Sequence, residues 1–176
     1  MRTIAPLSIE ADKEKFTLLL KISPDSLTEC ISAAETAALE RGLSLKEEFH
    51  ITVIGFKTGK IFSDLYAHRS PADRATIVRA LYELAKGISW SGLPLDDGLI
   101  YVEKEYTFKQ NKKELRQSII QMLDLPAMAE FYERLNRAVG KEFEIPPPHI
   151  TLYTGNGTGI GIDSMADLEN LHPQQL

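Results

Sequence analysis

The sequence carries a single cysteine, Cys30, in 176 residues, so no internal disulfide can form and no cysteine cluster offers metal ligands at the usual spacing. No apolar run approaches the length of a membrane span, and the opening residues MRTIAPLSIEADKEKF lack the apolar stretch and cleavage site of a secretory signal. A cytoplasmic protein with no membrane contact is expected. Basic excess is missing too, since 20 Lys and Arg against 25 Asp and Glu leave a net charge of −5. Proteins that grip long duplexes depend on phosphate neutralisation, so an extended duplex-binding groove is not expected, whereas a small nucleotide or one RNA end in a locally basic cleft remains compatible.

What is present suffices for one compact domain, or two small lobes sharing a core, because 43% of the residues are hydrophobic. Two stretches organise the chain. Phe49-His50-Ile51-Thr52-Val53-Ile54-Gly55 is echoed by Pro148-His149-Ile150-Thr151-Leu152-Tyr153-Thr154-Gly155, with the histidines 149 − 50 = 99 residues apart. Each stretch reads as a short strand rich in β-branched residues, and alternate side chains of a strand share a face. His50 therefore points with Thr52, and His149 with Thr151 and Tyr153, while Ile51, Val53, Ile150 and Leu152 face a core. Each unit pairs a group that exchanges a proton near neutral pH with a small hydroxyl donor.

Around these strands the punctuation is regular. Lys15 to Ile22 reads as a buried strand, and Ser23-Pro24 opens a helix carrying Leu27, Ile31, Ala34 and Ala38 until Gly42 stops it. Beyond the first motif, Thr58-Gly59 marks a turn and Ile61 to His68 a short helix, with His68 at its surface end. Ser70-Pro71 opens a further helix that Gly87 closes. Ile88 to Leu95 and Leu99 to Phe108 then read as strands flanking an Asp96-Asp97-Gly98 hairpin, with a polar turn at Lys109 to Glu114 before a strand over Leu115 to Leu123. Pro126 opens a helix with a core stripe of Met128, Phe131, Leu135 and Val139, ended by Gly140. The order strand, helix, motif strand thus occurs twice.

The paired units His50-Ile51-Thr52-Val53 and His149-Ile150-Thr151-Leu152 resemble the H-x-T-x motifs of the two-histidine (2H) phosphoesterase superfamily, which includes RNA 2',3'-cyclic phosphodiesterases and 2'-5' RNA ligase-like proteins. The resemblance is specific at these eight positions and extends by element order over roughly residues 15 to 155. It implies an α+β (α/β) fold that is bilobal and pseudo-symmetric, with two antiparallel sheets facing a central cleft and helices outside. The whole chain, 1–176, would form that one domain, with motif strands near 49–55 and 148–154.

It further implies a metal-independent phosphodiesterase, acting on a nucleotide or RNA end and needing no cofactor. One of His50 and His149 would take a proton from the attacking water while the other protonates the departing ribose oxygen, and Thr52 and Thr151 would bind the phosphate. Which histidine is acid and which base stays open. Tyr153 and Arg116 are candidate substrate contacts, the latter in the basic run with Lys109, Lys112 and Lys113; ordinary strand packing and a solvated turn are their plain alternatives. The Gly155 to Gly161 segment reads as a flexible exit from the motif strand, against a phosphate-cradling loop, and Asp163-Ser164 as a helix cap. RNA-end trimming, 2'-5' ligation, a binding module without turnover and a metal site built on the four histidines are the rival readings, and a monomer is expected.

Overall fold

The computed structural model describes residues 3–176, which form one antiparallel eight-stranded sheet with five helices. The strands are β1 (Pro6–Ala11), β2 (Leu18–Ile22), β3 (Ser44–Leu45), β4 (Phe49–Ile54), β5 (Leu93–Thr107), β6 (Lys113–Asp124), β7 (His149–Thr154) and β8 (Gln174–Gln175). The helices are α1 (Thr28–Glu40), α2 (Phe56–Leu65), α3 (Pro71–Lys86), α4 (Ala127–Val139) and α5 (Met165–Asn170). Across the sheet the order is β1-β2-β4-β7-β6-β5-β8, with β3 paired to β7 beside β4. No helix among the described residues is long and apolar enough to cross a membrane.

In place of two sheets facing one another, the two motif strands join their halves into one sheet. The junction is narrow, since β4 and β7 share the single registered pair Ile51↔Ile150. Both isoleucines are sealed in the core on one face, and the helices α1, α3 and α4 pack there through Ala34, Ala38, Leu81, Met128, Phe131 and Leu135. Helix stripes, glycine stops and caps behave as their residues dictate. Ser70 and Asp73 form a reciprocal capping box under Pro71, and Gly140 takes the left-handed conformation after α4.

The repeat is deeper than element order. Helices α1 and α4 have 13 residues each and are offset by the same 99 positions as the histidines, Thr28 to Ala127 and Glu40 to Val139. Each motif strand also carries a bulge directly after its threonine: Val53 is the extra residue where Leu19 pairs Thr52 and Leu18 pairs Ile54, and Leu152 where Ile120 pairs Thr151 and Ile119 pairs Tyr153. A bulge resets the alternation of faces. Val53 and Ile54, like Leu152 and Tyr153, are consequently all buried in succession.

Four local readings change. Asp96-Asp97-Gly98 is not a hairpin but an irregularity within the 15-residue β5, between the pairs Pro94↔Leu123 and Leu99↔Gln121. Its reason is the buried Gln121, whose Nε2 donates to the carbonyls of Leu95 and Met122 at 2.9 and 3.0 Å and fills the space beside Gly98. Chain reversal occurs instead at Lys109–Asn111. Ile88 and Trp90 are core residues before the strand begins, Trp90 Nε1 donating to the Ala85 carbonyl. Thr58-Gly59 lies inside α2, where Gly59 lets the helix approach the Lys15 carbonyl, and Lys15 itself belongs to a turn capped by Asp12 rather than to β2.

Candidate active site

The single pair Ile51↔Ile150 decides the geometry of the site. In an antiparallel ladder it sets residue 50 against 151 and residue 52 against 149, so each histidine lies across from the threonine of the other strand. Because the isoleucines point into the core, His50, Thr52, His149 and Thr151 stand together on the opposite face. They line a cleft of about 230 Å³ completed by Lys46 and by Gly159, Ile160 and Gly161. That is below the range of roughly 300–1,000 Å³ typical of drug-sized ligands, and suits a small group or the end of a larger one.

Tyr153 is not part of this site. The bulge at Leu152 turns it to the helical face, where it is buried and its hydroxyl donates to the Ile31 carbonyl at 3.2 Å. Arg116 does lie on the site face, four positions along β6 from Ile120, the partner of Thr151. It is outside the cleft, paired with Glu114 at 2.7 Å and stacked 4.3 Å from the Tyr106 ring centroid. His68 follows α2 on the surface and His172 follows α5, both away from the cleft. Cys30 is buried on α1 with its thiol pushed up by that burial, an inert side chain.

Sequence reasoning missed three contributors. Lys46, just before β4, lines the cleft and makes no ion pair among the described residues. The 159–161 segment returns over the cleft because Ile160, Ile162 and Leu168 pack on Ile100, Val102 and Ile120, a second core on the site face of the sheet. Asp163 is the third. Ser164 alone caps α5, accepting from the Asp167 N–H at 3.0 Å, and Asp163 turns instead to the start of α2. There the backbone N–H of Lys57 draws its carboxyl down, at a helix start where Gly55 has no side chain to offer as a cap. A Cβ on Gly55 would collide with the Asp163 Oδ1, so this glycine makes room for the carboxylate. Only the Asp163-Ser164 pair hinted at this in the sequence, and proximity to Gly55 depends on the chain folding back.

The two histidines differ electrostatically. Burial lowers the His50 imidazole below its ordinary value, and Lys46, Lys21 and His149 push it further down, against a small opposing pull from Glu10. Lys21 faces His50 across β2 and is itself held by Glu48 at 2.6 Å and Glu10 at 3.2 Å. Burial lowers His149 also, but there the Pro147 carbonyl and the Asp163 carboxylate oppose it. His149 Nδ1 lies 2.8 Å from the Pro147 oxygen. A carbonyl only accepts, so Nδ1 carries the proton and Nε2 is the atom whose proton can exchange. Burial in turn raises the Asp163 carboxyl, with the Lys57 N–H pulling it back.

No group of three or more His, Cys, Asp or Glu side chains arranged to hold a metal occurs among the described residues. No family model matches the chain, and neither the curated proteins nor the solved structures contain a match to it.

Proposed function

We propose that this chain is a phosphodiesterase of the two-histidine type that hydrolyses a cyclic phosphodiester, with a 2',3'-cyclic phosphate on a nucleotide or RNA end as the preferred substrate. One observation carries the reading: the Ile51↔Ile150 crossing sets two imidazoles and two hydroxyls on one face around a single small cleft. Hydrolysis of such an ester makes two proton demands, one at the attacking water and one at the leaving oxygen, and two imidazoles meet both without a metal. The repeated helix and motif strand, related by one offset, support a bilobal arrangement about that crossing.

The electrostatics support different roles for the two histidines. His50, whose neutral form is favoured by burial and then by Lys46 and Lys21, takes the proton from water as its oxygen bonds to phosphorus. The bond from phosphorus to one ribose oxygen then breaks, and that oxygen receives the Nε2 proton of His149, whose cationic form the Pro147 carbonyl and Asp163 favour. Thr52 and Thr151 donate to the non-bridging oxygens, with the Lys46 ammonium adding positive charge where negative charge develops. A cytoplasmic monomer acting on a free end, without extended duplex contact, is part of the same reading.

The test is hydrolysis of the four nucleoside 2',3'-cyclic monophosphates in EDTA by the wild type, His50→Ala and His149→Ala. Loss of one proton-transfer group is expected to cost about 10²- to 10⁴-fold each. Turnover that survives both substitutions would sink the mechanism, as would a stoichiometric metal ion required for the reaction. Undiminished ligand affinity with no turnover in the wild type would favour a binding module.

A further inference from the structure

The hairpin formed by β5 and β6 runs on past the rest of the sheet. Strand β7 pairs with β6 no further than Ser118, β8 meets β5 only at Ile100 and Tyr101, and from Lys104↔Arg116 to Thr107↔Lys113 the two strands pair only with each other. Paired residues share a face, and no irregularity interrupts this stretch. Lys104, Tyr106 and Arg116 therefore stand on the same face as Ile120, Thr151 and His149.

On that face the arm carries an aromatic and cationic platform. The Tyr106 and Phe108 rings stack with centroids 6.3 Å apart and 19° between planes. The Arg116 guanidinium lies over both rings, at 4.3 and 5.8 Å from their centroids, and Phe108 remains 43% exposed. Charge is concentrated here against the trend of the molecule. Residues 103–116 hold five Lys and Arg and three Glu, a net of 5 − 3 = +2, so the remainder of the chain bears −5 − 2 = −7.

The surface between platform and cleft is continuous. Asn156 Nδ2 donates to Glu114, the partner of Arg116, at 3.1 Å, while Gly159 and Gly161 from the same loop line the cleft. A second groove, of about 520 Å³, shares Lys46 with the cleft and runs past Ser44, Thr154 and Gly157. From the row of Thr151 to the row of Tyr106 is six residues of β6, about 20 Å at the strand rise, the span of a few nucleotides.

We infer that the arm is a docking platform for the single-stranded RNA segment that precedes a 3' end held in the cleft. The exposed Phe108 ring stacks an unpaired base of any sequence, and the flanking lysines follow the backbone. A duplex offers its bases to no such ring, and the acidic remainder of the surface repels its second strand. The inference rests on the phosphodiesterase reading for what occupies the cleft, and on the arm's own geometry for what lies beyond it.

The experiment is fluorescence anisotropy with a labelled single-stranded hexanucleotide ending in a 3'-phosphate, which binds without turnover, beside a duplex of the same sequence. Nucleoside 3'-monophosphate serves as competitor, and cyclic mononucleotide hydrolysis is measured in parallel. The hexamer is expected to bind at least about tenfold tighter than the mononucleotide. Phe108→Ala weakens it about tenfold, as loss of a base stack does, and by more than it changes mononucleotide turnover. Lys109→Glu with Lys112→Glu weakens it and flattens its salt dependence. Equal affinity for hexamer and mononucleotide, unchanged hexamer binding in both variants, or tighter binding of the duplex would overturn the inference. Hexamer binding that depends on Phe108 in a protein that hydrolyses no cyclic mononucleotide would keep the platform and remove the catalytic reading.

Discussion

The two motif strands share backbone design and differ in what surrounds them. Both follow a 13-residue helix, both bulge after the threonine, and both bury the two residues beyond it. Yet β4 turns at once into α2 through Gly55, against the Asp163 carboxylate, whereas β7 runs through Gly155 into a loop with no such neighbour. His50 stands among lysines and His149 beside a carboxylate and a carbonyl. Symmetry of backbone therefore places two like groups, both lowered by burial, and asymmetry of neighbours sets different charges against them.

Glycine substitution breaks the comparison most strongly. Gly55→Ala pushes a methyl into Asp163 and is expected to cost about 1–3 kcal/mol by urea unfolding, the usual range for overpacking a tight site. At Gly155 the nearest atom to an added methyl is Gln117 Oε1 at 3.5 Å, ordinary contact, so Gly155→Ala should fall within about 0.5 kcal/mol of wild type. Equal costs at the two positions would show that Asp163 yields freely and is not lodged against α2.

Charge removal sharpens it. Asp163→Asn keeps the side chain's size but takes away the charge that favours cationic His149, so the basic limb of the pH-rate profile moves to lower pH. A shift of one unit corresponds to about a tenfold drop in kcat on that limb. Lys46→Ala acts on the other histidine, relieving one of the charges that hold His50 neutral and moving the acidic limb upward by a smaller amount. The two variants should narrow the profile from opposite sides; movement of the same limb by both would refute the division of roles.

The smallest effect is on the pH dependence of stability. Both histidines sit below the ordinary value of 6.5 in the folded state, so as pH falls the unfolded chain takes up their protons first. Stability is full above that value and falls through the window between it and the lowered folded-state values. Urea unfolding from about pH 7.5 down to about pH 5 should show a loss of stability that shrinks in the His50→Ala, His149→Ala double variant. A pH slope unchanged by removing both imidazoles would assign it to other groups.

The amino-acid order alone determined the local features whose cause is local. The two His-Ile-Thr strands, the capped helix at Ser70-Pro71, the stripe of α4 and the glycine stops all follow from side-chain period and backbone preference, which act over a few residues. The buried pairs Val53-Ile54 and Leu152-Tyr153 were visible as consecutive apolar residues, but strict alternation put Tyr153 on the wrong face, because a bulge is defined by the neighbouring strand. Asp96-Asp97-Gly98 has the composition of a turn, and only Gln121, arriving from the next strand, makes it an interruption within β5. Lys46, Asp163 and the 159–161 segment joined the site through contacts between residues far apart in sequence, and the union of both halves in one sheet rests on a single pair, Ile51↔Ile150. Tertiary structure alone decided these, since the energies that select them are packing and desolvation terms that do not exist until the strands meet.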